Sequence, residues 1–315
     1  MKKFDIMTLG VPMVEFTRDE LDVPLTEPGS FYGPVPAGDP GIALNACVRL
    51  GYRGCYVGVL GGDAFAECFI AQMHRSGIDT SHMRVNRELN TGMSMLTKFS
   101  NGTRKFVFTV PSSAAASMGP QDLDKDLIAS VRWIHLSGFA LSISESSAKL
   151  HRELIKTIGD DVRVSFDPNY RAEVISRKDY LARSHDIFER CDFFLPSRGE
   201  GALFSCNSTQ SEEEFCCRLS ERGKEVALKD GAHGAYAFSA GETRFYPAFP
   251  VAEVDSTGAG DTFDGALIAA TMDGKHLFDA ARYAAAAGAL AVARRGLMDV
   301  APVRAEIEEM LGNGR

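Results

Sequence analysis

Hydrophobic and polar positions change their period several times along the chain. Asp5 to Val11 is a near-continuous apolar run that ends at Pro12, the pattern of a strand buried on both faces, and RGCYVGVLGG (Arg53 to Gly62) repeats it. Between them the spacing predicts a helix from about Pro40 to Leu50, with Asp39 as a cap, Pro40 in the first turn and Gly51 as the stop. A further helix is predicted from Asp63 to Ser76, closing at Gly77. From Thr91 to Val110 the pattern becomes alternating, and Asn101-Gly102 sits inside it, the dipeptide favoured by tight hairpin turns, so this part is predicted to be antiparallel strand. After Ser130 strands and helices alternate: VRWIHLSG, a helix near Glu145 to Ile158, VRVSFD, a helix reaching Cys191, DFFLP, two short helices, then EVALKDG. That order builds a parallel sheet covered by helices. Two helices close the chain, Gly260 to Gly274 and about Leu277 to Arg294, the second dense in alanine and suited to tight packing. The expected fold class is α/β, with three α-β-α layers around a mostly parallel central sheet. A small β lid, from about residues 12–36 and 91–112, is expected on a single domain spanning 1–315.

Composition narrows the function classes. The 315 residues are 45% hydrophobic and 24% charged, enough for a large core. Against 34 Lys and Arg stand 42 Asp and Glu, a net charge of -8, which leaves no basic face for nucleic acid or for an anionic membrane. Seven scattered cysteines without a CxxC pair argue against a disulfide framework and a zinc site, and fit a reduced cytoplasm. Asp5 and Glu15 interrupt the first apolar run, so neither a signal peptide nor a membrane span is expected there.

The chemistry concentrates in VDSTGAGDTFDGALIAATM, Val254 to Met272. A Gly258-Ala259-Gly260 turn lets backbone approach a ligand, and the following helix points unpaired N–H groups, with a charge of roughly +0.5, into that turn. This is a nest for an anion such as phosphate. Asp261 reaches the same nest, where a carboxylate would take a proton from an attacking hydroxyl. On the residues alone, Asp261 serving only the helix dipole stays open. A G-x-x-x-x-G-K-[ST] loop and a dinucleotide fingerprint are both missing.

DSTGAGDTFDGAL resembles the C-terminal signature of the ribokinase-like (PfkB) carbohydrate kinases, and the likeness runs over nearly the whole chain. AGDPGIALNACVRLGYRGCYVGVLGGDAFAE, VSFDPNYR, FLPSRGEGALF and ALKDGAHGAYAF follow in family order, resembling the sugar motif, the central strand end, the metal-associated acid segment and the nucleotide-side turn.

The resemblance implies a ribokinase-like fold and an ATP-dependent sugar kinase using Mg2+. It leaves room for a monovalent cation such as K+. Gly258, Ala259 and Gly260 would form the anion hole, Asp261 would be the base, and Asp255 and Thr257 would line the phosphate and cation side. Glu200 would hold Mg2+ through water, with Ser197 standing where the family motif has asparagine. Lys229, Gly231 and Gly234 would lie in the turn against ATP, although a plain strand link is open for Lys229. Glu15, Gly38, Asp39 and Asn45 would face the sugar hydroxyls, with a helix cap open for Asp39 and an internal amide for Asn45. Asn169 and Arg171 stand at a parallel-strand end, where open α/β sheets place ligands, and Arg171 could grip a phosphate or a substrate carboxylate.

For the sugar, KFDIMTLG and YAAAAGALAVARRG resemble kinases of tagatose-like ketoses, whereas SSAAASMGPQDL also resembles 2-keto-3-deoxygluconate kinases. The Tyr-x-Arg carboxylate clamp of the latter is replaced here by FVFTVPSSAAA. A neutral ketose or related monosaccharide is therefore expected, with the keto-deoxy acid as the alternative. A non-catalytic sugar or nucleotide sensor on the same fold is the reading from another class. A homodimer through the β lid is the expected assembly, in the cytoplasm.

Overall fold

The computed structural model describes residues 2–205 and 209–313. In chain order the strands are β1 (Phe4–Leu9), β2 (Met13–Arg18), β3 (Phe31–Ala37), β4 (Gly54–Val57), β5 (Val59–Leu60), β6 (Arg84–Val85) and β7 (Gly92–Lys98). They continue as β8 (Arg104–Phe108), β9 (Val131–Ser137), β10 (Arg163–Asp167), β11 (Phe193–Phe194), β12 (Glu225–Lys229), β13 (Gly234–Ser239) and β14 (Glu242–Pro247). The α-helices are α1 (Asp39–Arg49), α2 (Ala64–Arg75), α3 (Lys125–Ala129), α4 (Gly138–Ser142), α5 (Glu145–Thr157) and α6 (Arg177–Arg190). After them come α7 (Gly201–Phe204), α8 (Glu212–Glu221), α9 (Ala259–Met272), α10 (Leu277–Val292) and α11 (Arg304–Asn313).

The main sheet runs β14-β13-β12-β11-β10-β9-β1-β4. Its pairs from β12 through β11, β10, β9 and β1 to β4 are parallel, and β13 and β14 add an antiparallel edge. Successive side chains of β1 serve opposite faces: Ile6 joins a core cluster with Trp133 and the residues of α1, α9 and α10, while Met7 joins Ile134, Val164 and the residues of α5 and α6. Burial on both faces explains why these strands read as continuous apolar runs rather than alternating ones. From β1 the chain moves to β4 on one side and later returns to β9 on the other. The crevice at the carboxyl ends of β1, β9 and β10 is the switch point where such sheets take ligands.

Helix α9 is pressed onto α1. A Cβ on Gly265 would stand 2.1 Å from the Ala43 carbonyl oxygen and 2.8 Å from Ala46 Cβ, so only glycine allows this approach. The run RGCYVGVLGG, read as one strand, divides into β4 and β5, and β5 leaves the main sheet to pair with β6.

A second sheet, β3-β2-β7-β8, stands over the switch point. β2 pairs antiparallel with β3 and parallel with β7, and β7 with β8 forms the hairpin that turns at Asn101-Gly102. Period-two geometry puts Arg104, Phe106 and Phe108 on one face of β8. Among the described residues no helix is long and apolar enough to cross a membrane, and the six cysteines are free thiols. Cys206 lies outside the described residues.

Candidate active site

The entrance of α9 is shaped by Gly258, which takes the N-cap position at φ 77°, in the left-handed region that favours glycine. Ala259 N–H reaches the Ser256 carbonyl at 3.4 Å and Thr262 N–H the Gly258 carbonyl at 2.9 Å. The amides of Gly258 and Gly260 donate to no acceptor among the described residues. Free amides and the helix dipole together make this end attractive to an anion. Thr257 adds a buried hydroxyl without a partner at the rim of the same cavity.

Asp261, in the first turn of the helix, lines the cavity. Burial and the nearby Asp167 carboxylate push its pKa up to about 7, while Lys229 and Arg171 pull the other way. A carboxyl group poised near neutrality has the proton affinity that general base catalysis requires.

Across the cavity stands Asp39. It was expected to cap α1, but Gly38 occupies the N-cap and the Asp39 side chain makes no cap bond. The carboxylate is drawn elsewhere: Oδ2 accepts from Asn169 Nδ2 at 2.6 Å and from the Ser137 hydroxyl. Its other oxygen, Oδ1, is buried with no partner. An unsatisfied buried acceptor is costly, so a ligand hydroxyl donating to Oδ1 would remove a penalty of roughly 1–3 kcal/mol. Burial, followed by Asp261, raises the Asp39 pKa. Glu15 reaches in from β2, its two oxygens held by Ser94 Oγ at 3.1 Å and Thr17 Oγ1 at 3.3 Å, and burial raises its pKa as well.

The apolar wall is Phe106 and Phe108 of β8 with Phe139 of α4. Two guanidiniums also reach the cavity: Arg171, lying 5.7 Å from the Phe106 ring centroid, and Arg104, which donates to the Ser256 hydroxyl. The structure thus brings Glu15, Gly38, Asp39, Asn169, Arg171, Thr257, Gly258 and Asp261 around one space.

Lys229 differs from expectation. Its Nζ is buried and lies 2.9 Å from Asp167 Oδ2, and 3.0 and 2.8 Å from the two oxygens of Asp264. All three donors are spent inside the protein, because a buried ammonium is tolerated only when paired. Burial opposes its charge, yet Asp167 and Asp264 overcome that and hold its pKa above the ordinary lysine value. Lys229 is therefore an anchor beneath the first turn of α9 and does not project into the β12–β13 turn. Gly231 and Gly234 do shape that turn, away from the cavity. Asn45 is likewise internal: its Nδ2 donates to the Met298 carbonyl at 2.7 Å, and the residue is fully buried outside the cavity lining.

Glu200 accepts the Tyr170 N–H at 2.9 Å on one oxygen and the Ser197 N–H at 2.8 Å on the other. Each oxygen keeps a further lone pair and the residue stays partly exposed, so the carboxylate fits a cation held through water. Burial and Asp167 push its pKa up to about 7. Asp255 turns toward β7, where Lys98 Nζ is 2.5 Å from Oδ1.

Sequence reasoning missed Arg104, Phe106 and Phe108, whose alternate spacing on a predicted strand was the available signal, and Asp264, which follows Asp261 by three residues in an otherwise apolar helix. Ser137 carried no signal at all.

The description "pfkB family carbohydrate kinase" matches residues 5–304. Among curated relatives, Probable fructokinase-5 of Arabidopsis thaliana is 26% identical over 315 residues, covering 97% of each chain. The 5-dehydro-2-deoxygluconokinase of Bacillus subtilis is 24% identical, covering 98% of this chain and 96% of its own. Among solved structures, a candidate Ribokinase II from E. coli in complex with ATP and Mg2+ superposes with a TM-score of 0.91 at 31% identity, covering 98% of this chain and 99% of that one. A Vibrio cholerae fructokinase bound to fructose, ADP and calcium shares the fold at a TM-score of 0.82 and 23% identity, covering 98% and 99%. The chain belongs to the pfkB family of carbohydrate kinases, phosphotransferases that use an alcohol group as acceptor.

Proposed function

We propose that the protein transfers the γ-phosphoryl group of ATP to a hydroxyl of a neutral ketohexose or a related monosaccharide. The observation that supports this most is the pairing of free amides at Gly258 and Gly260 with Asp261, whose pKa near 7 suits a base, on the wall of a cavity that also holds the unsatisfied Asp39 Oδ1.

In this reading Asp39, Asn169 and Glu15 orient the sugar by its hydroxyls, and Asp261 takes the proton of the hydroxyl that attacks. The free amides of Gly258 and Gly260 stabilise the charge that spreads over the moving phosphoryl oxygens. Mg2+, held through water by Glu200, would neutralise charge on the nucleotide phosphates. The β3-β2-β7-β8 sheet acts as a lid that excludes water, which would otherwise compete as acceptor. Pairing of two such lids is the expected route to a homodimer.

One observation favours a second reading. Arg104 and Arg171 both reach the cavity, and a pair of guanidiniums would suit the carboxylate of 2-keto-3-deoxygluconate. ADP release with ATP and Mg2+ should therefore be measured on D-fructose, D-tagatose, 2-keto-3-deoxygluconate and a nucleoside set. Turnover of a ketohexose is the expected result. Preference for the acid selects the second reading, and no ADP above background with any acceptor overturns both.

A further inference from the structure

The small sheet is fastened to the body at the α9 entrance. Lys98, the last residue of β7, sets its ammonium 2.5 Å from Asp255 Oδ1, with both side chains largely shielded. The same oxygen accepts the Thr257 N–H at 2.9 Å. From the body side, Asp255 N–H donates to the Val292 carbonyl at 3.0 Å, which fixes the residue that carries the carboxylate. Two further contacts run in parallel. Arg104 of β8 donates to Ser256, whose hydroxyl donates to Glu253 at 2.7 Å. Arg295, just beyond α10, reaches Asp19 at 2.6 Å and lies 4.1 Å from the Tyr32 ring centroid on β3.

The charge arithmetic of this corner needs a cation. Asp255 stands three residues before the turn that would receive a phosphoryl group, and Glu15 adds a second buried carboxylate close enough to interact with it. An unpaired carboxylate there would repel the incoming anion, and the repulsion grows as the site closes and its effective dielectric falls. An ion from solution could supply the neutralising charge. In this chain the carboxylate already has an ammonium at hydrogen-bond distance.

We propose that Lys98 is the built-in cation of the anion turn: seated with the lid, it neutralises Asp255, steadies the Thr257-Gly258 backbone as a positioning residue, and makes phosphoryl transfer independent of K+. The inference rests on the kinase reading above. Because Lys98 is carried by the lid, the turn reaches its working charge only when the lid is down. That arrangement ties competence for transfer to closure over the sugar.

The test uses the full chain and its Lys98→Met and Lys98→Arg variants, assayed for ADP release with the ketohexose that turns over best. Chlorides of tetramethylammonium, K+ and NH4+ are compared at equal ionic strength, and melting temperatures are recorded in the same salts. The wild type should run at one rate in all three salts and show no K+-dependent shift in melting temperature. Lys98→Met should lose roughly tenfold or more in kcat in tetramethylammonium, with little change in the KM for sugar. K+ or NH4+ should restore part of that rate and raise the variant's melting temperature, and Lys98→Arg should keep most activity without K+. Activation of the wild type by K+ would overturn the proposal. So would a Lys98→Met variant that equals the wild type in every salt, or one that melts like it yet stays slow whatever the cation. A wild type that releases no ADP with any acceptor fails the kinase reading instead, while the melting curves still report whether K+ replaces Lys98.

Discussion

Asp261 and Asp39 face the same cavity with different partners, and in the proposed reaction that difference separates their roles. Asp39 has one oxygen tied to Ser137 and Asn169, which fixes its direction and leaves Oδ1 for a ligand donor. For Asp261, burial and Asp167 push the pKa up to about 7 against the pull of Lys229 and Arg171, which suits a group that takes up and gives back a proton near neutrality. A base must be ionised to act, so kcat/KM should rise with pH through an apparent pKa of about 7 and level off above it. A profile flat from acid to alkaline pH would contradict this role. Lys229 gives a contrasting prediction. Lys229→Met would leave Asp167 and Asp264 buried against each other without their cation, costing about 3–5 kcal/mol. Thermal unfolding should show the loss as a large drop in melting temperature, while the KM for ATP of the folded variant stays near the wild-type value. A raised KM with unchanged stability would return Lys229 to the nucleotide.

At the scale of elements, the helix entrance works because three things coincide: a left-handed glycine at the N-cap, small residues behind it, and close packing of α9 on α1. Gly265→Ala isolates the last of these. Alanine inside a helix normally gains roughly 0.5–1 kcal/mol over glycine. Here its Cβ would meet the Ala43 carbonyl at 2.1 Å, and overpacking of that kind costs about 1–3 kcal/mol. Destabilisation in a denaturant melt is expected, and a gain in stability would mean that α1 yields easily. The elements themselves were largely legible from periodicity. The buried strands β1 and β9, the hairpin at Asn101-Gly102 and helices α9 and α10 sit within a residue or two of their predicted bounds. The division of Arg53 to Gly62 was not legible, since two short strands in different sheets leave the same apolar run as one longer strand. Asp39 shows the same limit in the site. A carboxylate at a helix start carries the pattern of a cap, and only the arrival of β9 and β10 beside it reveals that Ser137 and Asn169 claim it. Lys229 and Asp264 are 35 positions apart, so their pairing is a product of tertiary packing that no local period encodes.

Over the whole molecule, the small sheet closes the space that the main sheet opens at its switch point. It contributes Glu15, Arg104, Phe106 and Phe108 to the cavity and grips the α9 entrance through Lys98 and Arg104. In the proposed reaction this sheet is a lid over the sugar, and it should settle further onto the body when sugar binds. Small-angle scattering with saturating ketohexose should show a smaller radius of gyration than without it, and an identical profile would argue against closure.

The central claim is that Asp261 activates a sugar hydroxyl beside the free amides of Gly258 and Gly260, and the most direct measurement is kcat for ADP release by Asp261→Asn at saturating ketohexose and ATP. The account predicts a fall on the order of 10²- to 10⁴-fold, with the affinity for sugar nearly unchanged. A variant that retains the wild-type rate would contradict it.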